Sequence, residues 1–322
     1  MAQLGRIDVH HHYVPPRYRD EAVACGHEQP DGIAQFPEWE PEAALALMDS
    51  AGIETAMLSV SSPGVHFGDD ARAADLARHV NEEGAQLASD HPGRFGLFAS
   101  LPMPSVDRSL AEIGYAFDEL DADGVVLLTH SGGVYLGDAA LDPVFEELDR
   151  RCAAVFIHPT SPACHQETAL GYPRPMIEFL FDTTRAVTNL ILSATLKRFP
   201  NLRVIVPHCG GALPSVASRI NVMSHVIPQT AGQGIDPLAE LAKLYYDLAG
   251  FVTEGTLGGL LDFVEPSQLL YGSDWPFTPT PAIGGLAERL ETLPQLDDDA
   301  RNAMRRGNAL RLFPQLGAST PG

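Results

Sequence analysis

A chain of 322 residues, 45% hydrophobic and 20% charged, has enough apolar material for a large core, and its dispersed glycine and proline argue for ordered loops over a fibrous or disordered protein. The formal charge of −21, from 42 acidic against 21 basic residues, gives no overall attraction to nucleic acid or to an anionic membrane. No run approaches the ~18 apolar residues of a membrane helix; the N-terminal stretch carries Arg6, Asp8 and histidines where a leader would be apolar; and Cys25, Cys152, Cys164 and Cys209 form no C-x-x-C pair, so a reducing, cytoplasmic setting is expected.

Short apolar runs alternate with longer stretches of helical spacing. The runs predict strands at 6–10, 54–60, 95–101, 124–128, 154–158, 203–208, 244–248 and 269–273. Between them, PEAALALMDSAGI, DDARAADLARHVNEEGAQLASDHP and DPVFEELDRRC place apolar residues on one helical face with Asp, Pro or Gly at the ends. VVLL, VFIH and RVIVPH are continuously apolar, the signature of parallel strands buried on both faces. Eight strand-helix alternations in one chain of this length predict a single (β/α)8 TIM barrel spanning 1–322; the open, doubly wound alternative lacks a G-x-G-x-x-G after the first strand. Residues 13–40, rich in Pro, Gly and charge, read as an insertion or lid after the first strand, and 314–322 as a loose tail.

The ends of these runs carry the chemistry. The first ends in His10 and His12, the fifth in His158, the sixth in His208 and the eighth in Asp274, and C-terminal strand ends converge on one mouth of such a barrel. Strict alternation puts Asp8, His10 and His12 on the inner face and Val9 and His11 on the outer one. Two imidazoles one residue apart, with His158 and Asp274, make a shell suited to Zn²⁺, or Mn²⁺ in its place. Asp8, one step deeper, is expected to orient a ligand histidine. His11, His66, His79, His91 and His225 read as surface or packing residues, whereas His130 and His165 fall in loops at the mouth as candidate substrate contacts.

With H-x-H at His10 and His12, FIHP at His158, RFPNLRVIVPHCGG at His208 and YGSDWPF at Asp274, the chain resembles the amidohydrolase superfamily. Within it, the resemblance is to the branch of aminocarboxymuconate-semialdehyde decarboxylase and the ortho-hydroxybenzoate decarboxylases, including those acting on 6-methylsalicylate. The resemblance implies that His10, His12, His158 and Asp274 hold one divalent metal and that His208 is the acid/base residue. It also implies that Arg219, in PHCGGALPSVASRI, meets a substrate carboxylate across a dimer interface; otherwise Arg219 is an ordinary solvated helix residue. Many amidohydrolases bridge two metals with a carboxylated lysine at the end of strand four. Here that strand ends VVLLTHSGG, and Lys197 and Lys243 lie elsewhere, so one metal is expected.

A lone Lewis-acidic ion serves two chemistries. In a decarboxylase of a salicylate-type or related unsaturated acid, a proton reaches the carbon bearing the carboxylate and CO₂ leaves; in a hydrolase of a lactone, ester or amide, Asp274 or His208 takes a proton from water. The resemblance favours the first. A non-catalytic scaffold would retain this costly polar cluster without use. Trp275 and Phe277 read either as an aromatic wall for the substrate or as rim packing, with Phe36, Trp39 and Phe67 as weaker loop candidates. Arg17 is the only candidate offered for a second substrate carboxylate, so a small monoacid is the expected ligand. The expected assembly is a homodimer or higher homo-oligomer.

Overall fold

The computed structural model describes residues 5–232 and 234–318. Eight strands follow one another around the sheet in sequence order: β1 (Arg6–His12), β2 (Ile53–Ser59), β3 (Phe95–Ser100), β4 (Gly124–Leu128), β5 (Ala154–His158), β6 (Arg203–Val206), β7 (Tyr245–Asp247) and β8 (Leu269–Leu270). Every neighbouring pair is parallel. The ring is closed between its ends by short main-chain bonds: Val9 N–H donates to Tyr271 O at 3.0 Å, Asp274 N–H to His10 O at 2.8 Å, and His12 N–H to Trp275 O at 2.7 Å. This is the (β/α)8 barrel expected of the alternating runs.

Alternation along the strands sorts their side chains into two cores. Met57, Phe98, Val126, Phe156, Ile205 and Leu270 fill the barrel interior, while Leu58, Leu97, Val125, Val155 and Val206 point to the surrounding helices. Phe98 stacks on Phe156 with centroids 5.5 Å apart, and Phe313 from the C-terminal segment packs against Phe98 at 5.7 Å. The helix Asp70–Asp90 illustrates the outer layer. Asp69 caps it by accepting from Arg72 N–H at 2.8 Å, and Ala73, Leu76, Ala77 and Val80 form its buried stripe.

β1 departs from the expected alternation. Its pairing with β2 slips between Asp8 and His11, so one extra residue is accommodated on β1. Ile7 and Val9 therefore face the barrel interior, and after the slip His10 and His12 do so. Asp8 does not share their face, because an inserted residue reverses the phase of everything beyond it.

The 13–40 segment contains the helix Pro16–Ala24 and a short turn at Pro30–Gly32. Tyr18 packs on Phe36 with centroids 5.7 Å apart, and Tyr13 on Trp39 at 6.1 Å, so Phe36 and Trp39 belong to its core and not to a ligand wall. A small antiparallel hairpin, His130–Ser131 with Val134–Tyr135, follows β4 without a sequence signal that predicted it. In the segment expected to be a loose tail, Gln315–Ala318 is helical, Leu316 packs on the interior core, and the Gln315 side-chain amide donates to Asp123 at 2.6 Å. Residues 319–322 lie outside the described residues.

Candidate metal centre and active site

His10, His12, His158 and Asp274 come from β1, the end of β5 and the segment after β8. They each offer one ligand atom, and the four atoms lie within 4.8 Å of one another. All three imidazoles have their Nδ1 side committed: His10 Nδ1 to Asp247 Oδ2 at 2.9 Å, His12 Nδ1 to Ser59 Oγ at 2.9 Å, and His158 Nδ1 to Pro159 O at 2.8 Å. Carboxylate and carbonyl acceptors fix the proton on Nδ1 of His10 and His158, which leaves Nε2 as the acceptor on each ring, that of His158 facing the Ser61 hydroxyl at 3.4 Å. The Nε2 atoms of His10 and His12 are fully buried without a hydrogen-bond partner, each 3.3 Å from Asp274 Oδ1. Buried, unpaired acceptors aimed at one carboxylate are the donor set a divalent ion requires, and the residues present fit one.

The electrostatics agree. Burial opposes charge on Asp274, but His10 and its neighbours outweigh it and hold the carboxylate well below its usual range. Burial keeps His12 below the ordinary imidazole range and His158 well below it, so both remain neutral donors. His10 differs: burial would lower it, yet the carboxylates of Asp247 and Asp274 push it up to about 10.

His208 follows β6 in a 3-10 turn instead of on the strand itself. Its Nε2 stands 3.5 Å from Asp274 Oδ2, and its Nδ1 is buried without a partner. His208, Cys209 and Asp274 all take left-handed backbone, with φ of 54°, 55° and 57°. Such conformations cost a non-glycine residue on the order of 1 kcal/mol or more and gather at functional sites. Gly211 closes the turn at φ 62°, where a Cβ would meet Leu180 O at 2.5 Å. Above these groups opens a cavity of about 860 Å³, bounded by Phe179, Leu180, Phe277 and Val252. Its described lining includes Asp31 and Asp274 but neither lysine nor arginine.

Residues 7–315 match the amidohydrolase family. The chain belongs to the amidohydrolase family. It is 37% identical over 318 residues to the 6-methylsalicylic acid decarboxylase of Penicillium expansum, covering 97% of each chain. A solved amidohydrolase II superposes with a TM-score of 0.91 at 34% identity, covering 96% of this chain and 100% of that one. The dihydroxybenzoic acid decarboxylase of Polaromonas sp. JS666, solved with bound manganese and the inhibitor 2-nitroresorcinol, shares the fold with a TM-score of 0.83 at 23% identity, covering 96% of this chain and 97% of that one.

Within this amidohydrolase the remaining candidates separate cleanly. Phe277 lines the cavity with its ring 5.5 Å from His12. Trp275 does not: it is buried 5.1 Å from the His11 ring, and its indole N–H donates to Thr280 at 3.0 Å. Arg219 is exposed on the helix Leu213–Val226 and is not among the described residues lining this cavity. Arg17 pairs with Glu21 and Asp75, away from the site. His130 and His165 line a second cavity of about 410 Å³ over the ends of β2 to β4, with Asp31 the lining residue common to both. Phe67 stacks near His27 at 5.2 Å. Lys197 bonds Gly234 O and Lys243 pairs with Glu240, while beyond β4 Thr129 donates to buried Asp182, so no lysine stands where a bridging carbamate would form.

Asp8 touches a ligand histidine only through the main chain, its Oδ1 accepting from His10 N–H at 3.2 Å. Its Oδ2 meets His11 Nδ1 at 3.1 Å and its Oδ1 accepts from Ser273 N–H at 2.9 Å, tying β1 to the segment that delivers Asp274. The carboxylate that bonds the ring of a ligand histidine is Asp247, at the end of β7, which the sequence reading passed over. The only signal in YYDLAG is an acid at a strand end of the same mouth.

Proposed function

We propose that the protein is a metal-dependent, non-oxidative decarboxylase of a small hydroxyaryl acid of the salicylate type. His10, His12, His158 and Asp274 would hold one divalent ion, Zn²⁺ by the nitrogen-rich shell, with Mn²⁺ as the alternative that the Polaromonas enzyme carries. When bound, that ion supplies Lewis acidity toward the oxygens of the acid. His208, next to Asp274, would deliver a proton to the ring carbon bearing the carboxylate; as that C–H bond forms the C–C bond breaks, its electrons restore the aromatic ring, and CO₂ departs. Phe277, Phe179 and Leu180 would receive the ring and exclude water. The observation that carries this reading is the convergence of the ligand atoms beside His208 in a chain similar to a 6-methylsalicylic acid decarboxylase along nearly its whole length.

A lining without Lys or Arg fits a substrate with a single carboxylate. Arg219 would reach such a substrate only from a second copy, and exposed Val222 and Val226 on its helix, with Phe181 and Phe251, offer an apolar face for a homodimer. We place the enzyme in the cytoplasm. All four cysteines are free, and no described helix is long and apolar enough to cross a membrane.

The test is CO₂ release from hydroxybenzoates, 6-methylsalicylate among them, before and after metal removal. Turnover should vanish on chelation and return with Zn²⁺ or Mn²⁺, and His208→Asn should lower kcat about 10²- to 10⁴-fold while the bound metal is retained. Acid release without CO₂, with solvent ¹⁸O in the product, would replace this reading with a hydrolase.

A further inference from the structure

Asp247 is completely buried and uses both carboxylate oxygens on different partners. Oδ2 accepts from His10 Nδ1–H at 2.9 Å. Oδ1 accepts from the backbone N–H of His208 and of Ala249, each at 3.0 Å. One side chain on β7 therefore touches both a residue of the four-ligand cluster and the main chain of the residue assigned the proton transfer. Gly272 and Ala249 crowd the same spot. A Cβ at Gly272 would stand 3.3 Å from the Asp247 Cβ and 2.8 Å from that of His10, so only glycine fits between the two side chains.

We infer that Asp247 is a positioning residue with two separate tasks: Oδ2 sets the tautomer and aim of His10 so that Nε2 presents a lone pair to the cation, and Oδ1 anchors the left-handed turn that presents His208. This inference rests on the metal-dependent reading above. The assignment has a chemical consequence that a mere packing role lacks. In Asp247→Asn the shape is kept, and the amide oxygen satisfies the two backbone donors at the Oδ1 position. The amide NH₂ then meets His10 Nδ1–H, donor against donor. Turning the amide over is worse, because it sets NH₂ against two backbone N–H groups. The available relief is for His10 to carry its proton on Nε2, the atom aimed at Asp274, where it blocks the cation.

Full-length protein stripped of metal and titrated with Mn²⁺, and separately with Zn²⁺, tests this without reference to turnover. D247N should bind each ion about 10- to 100-fold more weakly than wild type, while its metal-free state still unfolds in one cooperative transition. Nitrogen-15 histidine spectra, assigned with the help of H10Q, should find the His10 proton on Nδ1 in the Zn²⁺-loaded wild type and on Nε2 in D247N. Wild-type affinity in D247N, the same tautomer in both proteins, or collapse of the metal-free fold each overturns the inference. Because none of these readings involves CO₂, failure to decarboxylate any acid would leave this result standing on its own.

Discussion

Gly272 has its importance through what it lacks. A methyl at this position would lie 2.8 Å from the His10 Cβ and 3.1 Å from the Ala249 Cβ, and neither neighbour is the free end of a flexible chain. Relief must come from moving β1 or the segment leading to Asp274. Gly272→Ala is therefore expected to weaken metal binding by at least tenfold, a change of about 1.4 kcal/mol, with a far smaller effect on cavity residues remote from β1 such as Phe179. Metal titration of the variant checks this; unaltered affinity would mean that the centre tolerates displacement of His10. Much of the centre was legible at this scale, because imidazole and carboxylate at strand ends have few other reasons to gather. Asp8 was misplaced, since one inserted residue in β1 reverses the strand's phase and leaves no mark in side-chain type. Trp275 was equally ambiguous: its neighbour Asp274 enters the site, while the indole turns away to pack on His11.

At the scale of elements, the helix Asp142–Arg150 was readable from DPVFEELDRRC, where Val144, Phe145 and Leu148 form the buried stripe. Its polar face is organised around Glu147. Arg150, and after it Arg151, outweigh the opposing effect of partial burial and bring that carboxyl down to about 2 from an ordinary 4.5. Arg151 also pairs with Asp118 at 2.7 Å, linking this helix to Val106–Asp118. A carboxyl lowered on folding stabilises the native state above its unfolded pKa, and the contribution fades as pH falls through the folded value. Glu147→Gln should accordingly cost about 1 kcal/mol or less at neutral pH, the pairs being partly solvated. The gap in urea midpoint between variant and wild type should persist down to about pH 4.5 and shrink toward pH 2. A gap independent of pH would assign the loss to packing. Among the elements that escaped the sequence reading are some without periodicity: the two-residue strands of the hairpin after β4, the turn at His208, and the four-residue helix at Gln315. Each is too short to repeat a pattern, and each is fixed by tertiary contacts.

For the whole molecule, the order of apolar runs sufficed to give the barrel, because only a closed ring brings the ends of β1, β5 and β8 together. What the order could not supply is how the cavity treats charge. The chain carries −21 overall, and the described cavity lining adds Asp31 and Asp274 without a lysine or arginine of its own, Arg174 lining the adjoining cavity, where it donates to Ser161 beside Asp31. An anionic acid approaching this mouth is repelled until it comes within reach of the metal centre. Salt shortens the range of that repulsion, from a screening length of about 30 Å at 0.01 M to about 8 Å at 0.15 M. Raising ionic strength across this interval should therefore increase kcat/KM for an anionic substrate several-fold, chiefly through KM, since the proton transfer inside the cavity is shielded from bulk ions. The opposite slope would require a cation at the mouth beyond this lining and beyond Arg174. In the homodimer proposed above, Arg219 of the second copy would provide it, so the sign of the salt effect, compared between wild type and Arg219→Gln, reports whether the mouth is completed by a neighbouring subunit.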